Sequence, residues 1–193
     1  MAGTGVMMKV RAVGVEQATR RLTEAGKKID PVLRGALNTT ATKARTERYV
    51  SKFKGAFRGP IVRRSIRIKR ARRGVMNARV IPSGSGILVT HYQTWGYDPI
   101  SATRGRIWVR GPNGRKVAAG FVNPSSSGRL PWMTKSTKRK GLTTYQYRRD
   151  IQLALGPSAA YWFGQLNTNQ TIRWVNAYLQ QEFAKRMRKE LSR

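Results

Sequence analysis

The sequence contains no cysteine, a single histidine and only eight acidic residues among 193. Without cysteine the chain has no disulfides and no thiolate zinc site, which fits assembly in a reducing cytoplasm. The one histidine, His91, lies between Thr90 and Tyr92 with no carboxylate nearby in sequence, a poor setting for general acid–base catalysis, which needs a positioned partner. The acids Glu16, Glu24, Asp30, Glu47, Asp98, Asp150, Glu182 and Glu190 are scattered, so neither a metal site nor a two-metal nuclease is expected. Gly84-Ser85-Gly86 falls short of the five-residue G-x-S-x-G pattern, and no G-x-x-x-x-G-K-[ST] phosphate loop occurs. The expectation is a protein that is not an enzyme and takes no cofactor. No apolar run approaches the roughly 18 residues that suggest a membrane span, and Met1 to Met8 has no basic segment followed by a long apolar stretch, so no signal peptide is expected.

What the chain has instead is positive charge. Thirty-nine Lys and Arg give a formal net charge of +31, a statement about partners rather than fold. Nucleic acid, an anionic membrane or acidic protein surfaces would each absorb it. Five Trp, seven Tyr and five Phe within 39% hydrophobic residues supply a core, unlike a disordered basic tail.

Periodicity gives the elements. Val6 to Val13 alternates loosely as an opening strand, and Val15 to Ile29 reads as a short helix with Ala18, Leu22 and Ala25 on one face. Asp30-Pro31 is a helix start, with Asp as cap and Pro at the first helical position. The helix that follows runs from about Pro31 to Phe53, its stripe made of Leu33, Ala36, Leu37, Ala41 and Ala44. Ile61 to Arg73 is a short helix or an extended basic segment. Two hairpins follow: Val75–Ile81 with Gly86–Thr90 around Pro82-Ser83-Gly84-Ser85, then Arg106–Arg110 with Lys116–Val122 around Gly111-Pro112-Asn113-Gly114. Tyr97 to Gly105 between them lacks periodicity and reads as loop. Asn123 to Gly141 is rich in Ser, Gly, Pro and Lys, interrupted by Leu130-Pro131-Trp132-Met133. Thr143 to Leu155 returns as a last strand, and Gly156-Pro157-Ser158 opens a helical turn carrying Tyr161, Trp162 and Phe163. In the final helix, about Thr171 to Leu191, Ile172, Val175, Leu179, Phe183, Met187 and Leu191 recur at helical spacing, with basic residues toward its C-terminus.

Three basic clusters are candidate contacts for a partner or for DNA. The densest is Arg63, Arg64, Arg67, Lys69, Arg70, Arg72 and Arg73, seven cations in eleven positions. Arg104, Arg106, Arg110, Arg115 and Lys116 flank the second hairpin, decorating its tip and one face. Lys135, Lys138, Arg139 and Lys140 lie in the Ser/Gly-rich stretch and suit an arm that orders on assembly. Each cluster reads either as a solvated face or as a surface for phosphates or carboxylates, which Arg engages bidentately. Trp108 and Phe121 on the hairpin could stack on bases, but strand alternation makes them candidate core residues, the reading favoured here.

One stretch goes beyond composition. Arg34-Gly35-Ala36-Leu37-Asn38-Thr39-Thr40-Ala41-Thr42-Lys43-Ala44-Arg45-Thr46 resembles the "ALNxTAxKART" helix of the phage minor tail protein Z, or tail-completion, family. Ile66-Arg67-Ile68-Lys69-Arg70-Ala71 is similar to that family's "IRxRRA" segment, Gly120-Phe121-Val122 to its "AFV" strand, Leu130-Pro131 to its "RLP" strand, and Gly156-Pro157-Ser158 to its "GPS" turn. The pieces keep family order over about residues 32 to 165. The resemblance implies a structural protein that finishes the head-facing end of a phage tail or joins it to the connector beneath the capsid, commonly as a ring. It supplies no catalytic residues; its motifs mark fold and side-chain contacts.

The expected fold is therefore mixed α+β, one domain over residues 1–193 with a flexible basic loop around 123–141. An antiparallel sheet is packed against the long helix of the N-terminal half and the C-terminal helix. The expected role is a virion component of the tail or neck, assembled in the bacterial host cytoplasm. Its expected partners are the tail terminator, tail tube and connector through acidic surfaces, further copies in a homo-oligomeric ring, and packaged DNA, with no membrane partner. The rival expectation is a basic nucleic-acid-binding protein of ribosomal type.

Overall fold

The structure, a computed structural model, describes residues 14–24, 26, 28–134 and 150–192. Helix α1, Val15–Glu24, buries Ala18 and Leu22. A longer rod follows, built of α2 (Ile29–Ala44), a π-helical segment (Arg45–Val50) and α3 (Ser51–Lys54), with helical dihedrals at every junction. Its start departs from expectation: Lys28, extended and making no side-chain cap, precedes Ile29. Asp30 therefore sits inside the first turn, where its charge faces the positive helix end, instead of capping it. The rod buries Val32, Ala36, Leu37, Thr40, Ala41 and Ala44, then changes phase to Tyr49, Val50 and Phe53. A π turn accommodates one more residue than an α turn and so rotates everything after it.

The basic segment that follows is helix and strand in succession: α4 (Gly59–Arg64), then β1 (Ile66–Lys69). Strands β2 (Arg79–Pro82) and β3 (Gly86–Leu88) come next, but they do not pair with each other as the expected first hairpin requires. The Ser83 amide bonds to the Ser65 carbonyl at 2.8 Å, and the Ser83 carbonyl accepts from Ala160 N at 2.9 Å. These bonds hold the connection in an open course between two partners: β2 lies antiparallel to β1, and β3 to β9 (Leu155–Ser158).

The main sheet is antiparallel, in the order β4 (Trp95–Ser101), β5 (Arg104–Gly111), β6 (Gly114–Val122), β7 (Trp132–Thr134) and β8 (Ile151–Leu153). The β5–β6 hairpin turns through Pro112-Asn113, with Gly114 at φ +109° where a side chain would be strained. β4 occupies much of the stretch expected to be loop. Its Gly96, Asp98 and Pro99 are weak strand formers, and pairing to β5 overrides that preference. Pro99 is tolerated because β4 is an edge strand. Residues 123–131 connect β6 to β7 through a turn in which Ser125 and Ser126 bond back to Asn123. The opening strand expected over residues 6–13 lies outside the described residues, as does most of the stretch expected to carry the last strand.

Ser158 caps α5 (Ala159–Leu166), its hydroxyl accepting from Tyr161 N at 3.2 Å. Thr168 likewise caps α6, Asn169–Leu191. Helix α6 buries Thr171, Val175, Leu179, Phe183 and Met187, a strict four-residue ridge that suits ridge-into-groove contact with another helix. Ile172 falls beside this ridge and is half-buried, while Leu191 continues it but is exposed at the last residue of the helix. Facing it are the small residues of α2, so the two helices approach closely and run antiparallel: Val175 borders a small cavity with Ala41 and Ala44, while Arg186 reaches Thr39.

Helices α2 and α6 and the antiparallel strands thus make the mixed α+β architecture. One apolar cluster joins the end of the rod to the strands and α5; a second joins α1, the start of α2 and the end of α6. In the first, Tyr49 stacks on Phe163 at 4.2 Å, and Phe53, Phe57 and Tyr92 meet edge-on in series at 5.0 Å.

Candidate functional site

The densest basic cluster is built on a two-stranded ribbon. Helix α4 ends where buried Ser65 turns back, its hydroxyl donating to the Ile61 carbonyl at 2.6 Å. The alternation Ile66-Arg67-Ile68-Lys69 then selects a strand. Ile66 is buried and Ile68 half-buried against the core, so Arg67 and Lys69 point outward. The register places Arg67 opposite Ile81 and Lys69 opposite Arg79. Beyond β1 the chain turns through Arg73-Gly74, with Arg72 and Val75 exchanging backbone bonds at 3.1 and 3.0 Å. Arg63, Arg64, Arg67, Lys69, Arg70, Arg72 and Arg73 are all exposed. A surface depression along the ribbon is lined by Arg67, Lys69, Arg70, Arg72 and Ile81. Arg79 joins this face although sequence reasoning passed over it, because only the β1–β2 register reveals that it stands opposite Lys69.

From behind, the ribbon is held by the rod. Asn38 makes paired bonds with the Ala71 main chain: its Nδ2 donates to the carbonyl at 3.1 Å and its Oδ1 accepts from the amide at 2.8 Å. About two turns farther along the same rod, Arg45 Nε donates to the Ile66 carbonyl at 2.8 Å and its Nη2 to the Arg63 carbonyl at 3.1 Å. Side chains thus serve where, among the described residues, β1 has no neighbour strand on that edge. The positions of the cations are fixed by this arrangement rather than by the cations themselves.

The second cluster lies on the main sheet. Along β5, Gly105, Ile107, Val109 and Gly111 are buried, while Arg104, Arg106, Trp108 and Arg110 take the other face. Trp108 and Phe121 are therefore not core residues, contrary to expectation. Register pairs Trp108 with exposed Val117 and Phe121 with Arg106, and both rings lie half-buried on the outer face. Trp108 rests across Gly96, where an added Cβ would come within 2.7 Å of its ring, and is covered by the Arg115 guanidinium 4.4 Å from a ring centroid. Arg115 is also ion-paired with Asp98. Lys116 stands opposite inward-facing Val109 and reaches toward the Tyr161 ring at 5.6 Å, so it belongs to the other face. Of the aromatic trio beside the last turn, Trp162 and Phe163 are buried, and Tyr161 is exposed against Trp162. The third cluster, Lys135, Lys138, Arg139 and Lys140, lies outside the described residues.

The two described clusters differ in electrostatic balance. Ion pairs among the described residues include Lys43–Glu47, Arg115–Asp98 and Arg186–Glu182. Of these three, one falls on the sheet face and none on the ribbon. The ribbon carries two cations directly opposite each other, a placement that destabilises an isolated sheet and that an anion between them would relieve. Among the described residues, no three His, Asp or Glu side chains gather as metal ligands would, and no helix is long and apolar enough to cross a membrane. Comparison of the chain with protein-family models, with curated proteins and with solved structures returns no match.

Proposed function

We propose that this chain is a structural component of a tailed-phage virion, completing the head-proximal end of the tail or joining tail to head at the neck. The observation that carries the reading is the contact between the stretches that resemble the tail-completion family. Asn38 and Arg45 of the "ALNxTAxKART" stretch bond to Ala71 and Ile66 at the two ends of the "IRxRRA" stretch. The "GPS" stretch is equally committed: the Pro157 carbonyl accepts from buried Tyr92 at 2.6 Å, and Ser158 caps α5. Residues with such roles are those a fold retains, so the motif order has a physical reason and supports the resemblance. The reading assigns the chain no catalysis. It acts by binding, in a homo-oligomeric ring whose cations meet acidic faces of terminator, tube or connector proteins and the DNA that passes them.

The experiment is localisation. Particles from a host expressing an epitope-tagged chain should carry the tag at the tail's upper end or neck by electron microscopy, and loss of the chain should leave heads and tails unjoined. Particles free of the tag at tail and neck would sink the reading. A second reading, a nucleic-acid-binding protein of ribosomal type, is favoured by the Arg-flanked aromatic face around Trp108. Under it the chain would shift duplex DNA or RNA in gels at physiological salt with a preference for sequence or shape, whereas generic attraction fades steeply as salt rises.

A further inference from the structure

We infer that the outer face of the β1–β2 ribbon is a docking surface for the phosphate backbone of duplex DNA. The inference deepens the reading of the basic chain given above and rests on it only for the identity of the basic face. Arg67, Lys69 and Arg79 project from one face of the ribbon, with Lys69 directly across from Arg79. Residues two apart on a strand stand roughly 6.8 Å from each other, the scale on which successive phosphates of one DNA strand are spaced. A row of evenly spaced single charges is what a nucleic-acid backbone offers, whereas an acidic protein face would need a separate carboxylate placed for each cation.

Shape agrees with charge. A two-stranded antiparallel ribbon fits the major groove of B-form DNA. Ile81, opposite Arg67 and 42% exposed amid cations, gives that face an apolar point of the kind that meets base edges such as the thymine methyl. The surface is also preformed. Its back is packed into the core through Ile66 and Val80, and its outer edge is fixed by Asn38 and Arg45, so little ordering remains to oppose binding. The sheet face is the weaker candidate, since Arg115 is already satisfied by Asp98 and covers Trp108.

The test compares two triple variants that remove equal charge. R67A/K69A/R79A strips the ribbon, and R104A/R106A/R110A strips the sheet. Binding to a labelled mixed-sequence DNA duplex is followed by fluorescence anisotropy across a salt series, with unchanged melting temperatures confirming the fold of both variants. The ribbon variant should lose roughly tenfold or more in affinity, and its slope of log K against log salt should become shallower by about 2.7, the loss of three phosphate contacts. The sheet variant should keep the wild-type slope. Equal losses in both variants would overturn the inference in favour of unlocalised charge. So would a ribbon variant that binds DNA normally but no longer binds polyglutamate, which would assign the face to an acidic protein. Particle localisation reads only the virion role and this titration reads only the ribbon, so either can fail alone.

Discussion

Asn38 holds the main chain of Ala71, 33 positions away in sequence, by both ends of its side-chain amide. The Asn38 amide meets one donor and one acceptor as a neighbouring strand would. Asn38→Ala should therefore remove two hydrogen bonds and leave a part-buried amide and carbonyl without partners, costing about 2 kcal/mol in urea denaturation. Asn38→Asp keeps the acceptor for Ala71 N but sets a carboxylate against the Ala71 carbonyl, and should cost at least as much at neutral pH. If Asn38→Ala leaves the urea midpoint unmoved, the amide is not what holds the ribbon.

Arg186 ties the two long helices together, with Nε donating to Glu182 at 2.7 Å and Nη2 to Thr39 Oγ1 at 2.9 Å. Its guanidinium occupies the space a side chain at Gly35 would need. Gly35→Ala should gain about 1 kcal/mol of helix propensity and lose about as much by displacing Arg186 from Thr39, for little net change. In an Arg186→Ala background the same substitution should stabilise by the full increment of about 1 kcal/mol. A double-mutant cycle by chemical denaturation measures the difference.

Thr40 is 2% exposed, and its hydroxyl has no hydrogen-bond partner among the described residues. It borders a small cavity with Leu37, Ala41, Ala44, Ala78, Val80 and Val175, all apolar. Thr40→Val keeps the shape and removes the unpaired hydroxyl, so thermal melts should show a gain of about 1 kcal/mol. A loss would mean that the hydroxyl has a polar partner in solution.

Tyr92 is fully buried; it donates to the Pro157 carbonyl and accepts from Trp162 Nε1 at 3.1 Å. Burial pushes its ionisation from 10.0 up to about 12, although the Trp162 bond pulls the other way. The unfolded chain therefore loses this proton first. The stability Tyr92 contributes is complete below about pH 10 and is lost as pH rises through about 12. Burial raises Tyr49 as well, so two tyrosines act with the same sign. Tyr92→Phe should flatten part of the alkaline decline in denaturation midpoint. At neutral pH it should cost about 1–3 kcal/mol by leaving Trp162 and Pro157 unpaired.

The helices were legible because their periodicity is local: Ala36, Leu37, Ala41 and Ala44 mark the buried face of α2, and Val175 through Met187 that of α6. The β5–β6 hairpin was legible because its turn residues adjoin the strands they join. Long-range pairing was not. The residues of β2 and β3 sit close in sequence but choose partners 10 or more positions away, β1 and β9, and a Pro/Gly/Ser turn reads alike whether or not it closes. Alternation along β5 separated two faces but did not label them. Two aromatics appeared to mark the inside, while the inner face went to Gly105 and Gly111, whose missing side chains make room for Tyr97 and Trp162. Seven cations announced a basic surface; Arg79, alone among apolar neighbours, announced nothing until register placed it.

The π-helical segment Arg45–Val50 makes the length of the rod matter as much as its composition. Each residue turns a helix by about 100°, so removing one residue from that segment would restore an unbroken α-helix and leave every local preference satisfied. It would also swing Tyr49, Val50 and Phe53 away from the strands they cover, or else Ala36, Leu37 and Ala41 away from α6. Insertions and deletions are commonly absorbed at loops, but here a helix interior is a place where the chain must keep count. Descendants of this sequence can exchange side chains along the rod far more freely than they can change its number of residues.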